Sequence, residues 1–291
     1  MNTFKTMILM AALTGLLVAC GGAFGGQHGA AIMLIISLGF NFFSYWFSDT
    51  MVLKAYGARE VSQHEAPELY ALVSNLAHKA DLPMPKVCIV ESASPNAFAT
   101  GRNPSHAAVA VTTGIMQALS MEELGGVLAH ELSHIKHRDT LISSIAAGIA
   151  GVISMIANMA QWAAIFGLGR SDDDEEGGGM IGFLFTIIVA PLAAMVIQMA
   201  ISRSREYMAD KTGGEICGNP LHLARALEKI EYFAKHAVPM EQASNATAHL
   251  CIVNPLSGMG SKITQLFSTH PSTEERIRLL QQQASEMGIR A

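Results

Sequence analysis

His130-Glu131-Leu132-Ser133-His134 sets two imidazoles four residues apart with a carboxylate between them. On a helix, residues four apart share one face about 6 Å apart along the axis. Both rings can therefore hold one zinc ion, while Glu131, turned by about 100°, flanks it. Catalytic zinc takes three protein ligands and keeps a fourth position for water, whose pKa it lowers toward about 7 as it polarises a carbonyl. Glu131 is then the base that removes the proton and returns it to the leaving amine, and the reaction is peptide hydrolysis. His137 sits about 10 Å along the axis from His130, too far to share the ion. This spacing arises by chance in on the order of one in a hundred chains of this length, so two unrelated surface histidines are the weaker reading.

A third ligand is needed, and Glu206 in the run Ser202 to Asp210 (SRSREYMAD) is the candidate. Asp210 stands one turn later on the same face, where it can accept the second ring proton of a ligating histidine and fix its tautomer. The competing reading of Glu206 and Asp210 is a solvated helix face beside Arg203 and Arg205.

The elements that must bring these residues together are unusual for a water-soluble chain. Of 291 residues half are hydrophobic and only 15% charged, against about a quarter charged in ordinary globular domains. Four apolar stretches, 6–24, 29–47, 141–168 and 180–201, approach the roughly 20 residues that cross a bilayer and pair into two helical hairpins. Lys5, Lys54, Arg59, Lys136, Arg138, Arg203 and Arg205 flank them on one side, which the positive-inside rule makes cytoplasmic. The connecting loops, GGAFGGQH and the acidic GRSDDDEEGGG, fit the other side. Leu17 to Cys20 also has the form of a lipoprotein cleavage box; either reading leaves the downstream topology unchanged. Cys88, Cys217 and Cys251 have no paired spacing and read as reduced packing residues.

The chain then divides into a transmembrane hairpin (1–48), a first catalytic part (49–139), a second transmembrane hairpin (140–201) and a second catalytic part (202–291). The expected fold is α+β, mainly helical, with both soluble parts in one domain. Pro67 to Ala80 has helical apolar spacing, while KVCIVE and HAAVAVTT have the composition of strands. Ser120-Met-Glu-Glu is a capping box that opens the HExxH helix. Asn219-Pro220 and Ser272-Thr-Glu-Glu open two more helices, the last ending near Gly288. The second hairpin returns five residues before Glu206, so it is expected to deliver the third ligand to the histidine pair at about the same height over the membrane.

HELSHIKHRD, SRSREYMAD and STHPSTEER follow in that order, with two hydrophobic segments before the first and two between the first and second. In this the chain resembles the HtpX family of bacterial membrane zinc metallopeptidases, relatives of the CAAX prenyl endopeptidases, over essentially its whole length, including PNAFATG. The resemblance implies a gluzincin-like zinc peptidase domain facing the cytoplasm from the bacterial inner membrane, with one zinc per chain. It implies His130, His134 and Glu206 as ligands, Glu131 as base, His270 and Arg276 near the site, and quality control of misfolded or damaged membrane proteins as the role.

A tetrahedral oxyanion needs a donor besides the metal; His270 is the first candidate, with Tyr207 and Arg276 behind it. An unfolded polypeptide substrate is expected to add as a strand along 107–113, against Ala110 and Thr112, since main-chain pairing gives affinity with little sequence preference. Asn96 and Phe98 either shape that groove or form a turn and a core aromatic. An intramembrane protease would bury HExxH within an apolar run, whereas here Lys136, Arg138 and Asp139 follow it. A non-catalytic scaffold would have lost a ligand or Glu131. A dedicated processing peptidase stays open. With a net charge of -5 and no basic cluster, nothing points to nucleic acid.

Overall fold

The computed structural model describes residues 2–145, 203–236 and 271–290. Most of the expected second hairpin, with its acidic loop, lies outside the described residues, as do His270 and Cys251.

From Asn2 to Trp46 the chain is helical (α1) except at Gly25 and Gly26, where φ/ψ of -131°/15° and 58°/-146° break it into two arms. The positive φ at Gly26 is cheap only for glycine. The arms fold back on each other: Asn41 Nδ2 donates to Thr14 Oγ1 at 2.8 Å, and a Cβ on Gly21 or Gly29 would run into the opposite backbone. Small residues at such a crossing let apolar helices approach closely. The second arm, Gly25–Trp46, has 22 residues and a mean hydropathy of 1.5. Among the described residues it is the helix long and apolar enough to cross a bilayer. Ile32, Ile35, Leu38 and Phe42 point outward from it, each more than half exposed.

Short helix α2 (Ser48–Ala55) follows and packs on a four-stranded sheet. Strands β1 (Arg59–Glu60), β2 (Lys86–Val90), β3 (Ala97–Asn103) and β4 (His106–Thr112) lie in the order β1-β2-β4-β3. The β2/β4 pair is parallel and the other two pairs are antiparallel. Both faces are covered, which accounts for the run of buried residues in β4. Val87, Ala97, Ala99, Val109 and Val111 face the main core. Cys88, Val90, Phe98 and Ala110 face Val52 and Tyr56 in a smaller cluster, with the Phe98 and Tyr56 rings 4.7 Å apart.

Two expectations about substrate are corrected by this topology. Strand β4 is paired on both sides, so it has no edge to offer a substrate, and Ala110 is buried against α2 rather than exposed. Among the described residues the edge strands are β1 and β3, and Phe98 is a core aromatic.

Helix α3 (Pro67–Lys79) and the short α4 (Thr113–Ala118) lead to α5 (Met121–Lys136), which carries HExxH. Its capping box forms as expected: Ser120 Oγ accepts from Glu123 N at 3.3 Å, and Ser120 N donates to Glu123 Oε2 at 2.8 Å. Leu124 through Ser133 are all buried, because α5 is central, touching α3, β3, α6 (Arg203–Cys217) and α7 (Pro220–His236). Helix α8 (Thr273–Glu286) closes the far side against α6 and α7, with Gly288 at φ 72° behind its end.

Candidate metal centre

Helix α6 comes close to α5 at one place because Gly213 has no side chain there; a Cβ would meet the His130 backbone. Glu206, Asp210 and Gly213 recur at intervals of four and three, so they share a helix face. The glycine that permits contact thereby brings both carboxylates to the histidine pair.

His130 Nε2 and His134 Nε2 are 3.2 Å apart. The Glu206 carboxylate completes a triangle, 3.7 Å from the first and 3.6 Å from the second, and all three groups present a ligand atom within 4.8 Å of the others. For zinc bonds of about 2.0 to 2.1 Å, the edge of a ligand tetrahedron is about 3.4 Å. The triangle thus has the size of one face of a zinc site.

Both rings turn their other nitrogen to a carboxylate, which leaves the Nε2 lone pairs for a metal. His134 Nδ1 lies 3.2 Å from Asp139 Oδ2. His130 Nδ1 lies 2.9 Å from Asp210 Oδ1, on an approach too bent for a full hydrogen bond. Arg276 holds Asp210 bidentately, Nε to Oδ2 at 2.8 Å and the terminal nitrogen to Oδ1 at 2.7 Å. Burial alone would push the Asp210 carboxyl up, but the Arg276 guanidinium outweighs it and holds it at about 2.

Glu131, Asp139, Glu206 and Asp210 are buried together with Arg205 and Arg276, leaving an excess of two negative charges when all are ionised. A dication would balance it. Burial pulls the His134 imidazole down, but Asp139, Glu206 and Glu131 outweigh it and lift it to about 9. Glu131 is raised chiefly by burial and further by Glu206, against His130, His134 and a hydrogen bond from the Ala99 N–H.

The other sequence candidates separate. Tyr207 is half-buried and lines, with Asp210, Leu279, Leu280 and Gln283, a cleft of about 330 Å³ between α6 and α8. Arg276 is 1% exposed and committed to Asp210. Thr112 is engaged in structure: its hydroxyl donates to Asn96 O and accepts from Asn96 N and Ile115 N. Asn96 is buried just before β3. Asp139, Arg205 and the Ala99 N–H were not expected at the site. Asp139 and Arg205 read as membrane flanks, yet they are 3% and 7% exposed. Their one sequence signal was position, directly after HExxH and directly before Glu206.

Known proteins resemble this chain over most of its length. The sequence profile of Peptidase family M48 matches residues 63–284. A protein named Protease HtpX homolog from Syntrophobacter fumaroxidans is 56% identical over 280 residues, 96% of this chain and 98% of that protein. Proteins of the same name from Thermodesulfovibrio yellowstonii and Thermococcus kodakarensis are 58% and 54% identical, over 98% of this chain and 99% and 97% of their own lengths. The crystal structure of S. mikatae Ste24p is similar in fold, with a TM-score of 0.51 at 17% identity, over 96% of this chain; the chain spans 65% of that one.

Proposed function

The chain belongs to peptidase family M48 and is a metalloprotease, and from that premise we propose that it is an integral-membrane zinc endopeptidase. Its substrates on this reading are misfolded or damaged membrane proteins, cut at the cytoplasmic face. The observation that carries the zinc assignment is the His130, His134 and Glu206 triangle, of zinc dimensions, with Glu131 buried beside it.

A bound zinc supplies Lewis acidity, polarising the scissile carbonyl and acidifying a water. Glu131 accepts the water's proton and passes it to the leaving amine; burial suits it to this by raising its basicity. The Ala99 N–H favours the ionised form of the carboxylate. Asp210 and Arg276 hold the His130 ring in place. His270 is retained, from the sequence, as donor to the developing oxyanion.

For the substrate, β3 pairs on one side only among the described residues, and it carries the N–H that serves the base. A polypeptide laid along this edge would be read by its main chain, which suits unfolded segments of varied sequence. The outward-facing apolar arm Gly25–Trp46 supports a membrane location.

Metal analysis of the protein purified in detergent tests the reading. One zinc per chain is expected, with casein cleavage lost on chelation and restored by zinc. Full cleavage by metal-free protein would defeat it.

A further inference from the structure

Asp210 has a counterpart on the other histidine. Helix α5 ends in a reversal in which Arg138 adopts φ 58°, Arg138 N donates to Ile135 O at 3.1 Å and Asp139 N donates to His134 O at 2.8 Å. This is a Schellman turn, whose left-handed position usually takes glycine. A side chain held there is strained, and the turn brings Asp139 back onto His134 Nδ1 at 3.2 Å. The following residue secures the turn, as Thr140 Oγ1 donates to Gly101 O of β3 at 2.9 Å. Arg205, next to Glu206 in sequence, is buried too, and the charges of Asp139 and Glu206 favour its ionised form against burial. Asp139 and Arg205 flank residues 140–201, the expected second hairpin, in sequence.

We propose that Asp139 is the positioning residue for His134, as Asp210 is for His130, and that the charge of buried Arg205 supports Asp139 in that role. Each ligating histidine then has its own carboxylate: Asp210, held by Arg276, for His130, and Asp139 for His134.

The inference rests on the zinc reading and is tested on the full chain in detergent by titrating zinc against a competing chelator. Asp139→Ala is expected to weaken zinc roughly 10- to 100-fold, and Asp139→Asn, which keeps an acceptor but loses the charge, to fall between Ala and parent. Arg205→Met should also weaken it. The double variant Asp139→Asn/Arg205→Met should bind no worse than the weaker single variant, because both changes break one unit. Lys136→Gln, which removes an exposed nearby charge, should bind as the parent does. Melting of the metal-free proteins separates loss of fold from loss of affinity, and if Asp139→Ala does not fold, the Asn and Met variants are read in the same way. Zinc affinity of Asp139→Ala within twofold of the parent would overturn the role of Asp139, and effects at 139 and 205 that multiply would overturn the support from Arg205. A parent that holds no zinc would instead overturn the metal reading beneath it.

Discussion

Arg276→Met leaves the Asp210 carboxylate in the core without its guanidinium. It removes two charge-assisted hydrogen bonds of 2.8 and 2.7 Å from a residue 3% exposed. The attraction, net of burial, lowers Asp210 from 3.8 to about 2, which is worth about 2 kcal/mol. The unpaired buried charge adds to this, so the total destabilisation is expected at about 3–5 kcal/mol. Unfolding of the metal-free protein in detergent, followed by circular dichroism, measures it, and zinc affinity is read alongside. The double variant Asp210→Leu/Arg276→Met removes both charges and should recover most of the stability. It should not recover zinc affinity, because His130 still lacks its orienting carboxylate. Arg278→Met, at an exposed pair with Glu275, should be close to neutral. Parent-like melting of Arg276→Met would refute the energetic reasoning. A double variant that regained parent zinc affinity would remove Asp210 from its role beside His130.

Glu206→Ala should lose zinc and cleavage together; zinc affinity equal to the parent's would call for another ligand, with His270 next. Because Asp210 is lowered in the folded protein, its contribution to stability is whole above about pH 4 and is lost as pH falls toward about 2. Asp210→Asn should flatten the acid limb of the stability curve in that window, and an unchanged limb would contradict the pKa. Asp210→Ala, assayed separately, should weaken zinc roughly 10- to 100-fold. For topology, a membrane-impermeant thiol reagent on spheroplasts of a Cys20→Ser background should label Ser171→Cys but leave the half-buried Cys217 untouched until the membrane is opened. Labelling of Cys217 in sealed spheroplasts would place the catalytic domain outside.

The HExxH helix was legible because its signals are local. Ser120 and Glu123 form the cap from four adjacent residues, and the ligand spacing is the helix period itself. Glu206 could be inferred because the apolar run before it ends close by. Strand β3 was harder: Ala97, Ala99, Thr100 and Gly101 are small, so the stretch lacks the β-branched alternation that marks β2 and β4. Which strand forms the edge depends on the crossover that inserts β4 between β2 and β3, a tertiary fact with no local signature. Asp139 and Arg205 were misread for a related reason. Charges next to an apolar run look like membrane flanks in any sequence, and only the left-handed turn at Arg138 and the approach of α6 bury them. Gly213 likewise shows its purpose only when α5 is seen against it.

The central claim, a metal site with Glu131 as its base, is tested most directly by purified Glu131→Gln beside the parent, measuring bound zinc and casein cleavage on the same samples. The glutamine is not a ligand and cannot accept the proton, so zinc at the parent level with cleavage reduced by at least about a hundredfold is expected. Cleavage close to the parent's at equal zinc would contradict it.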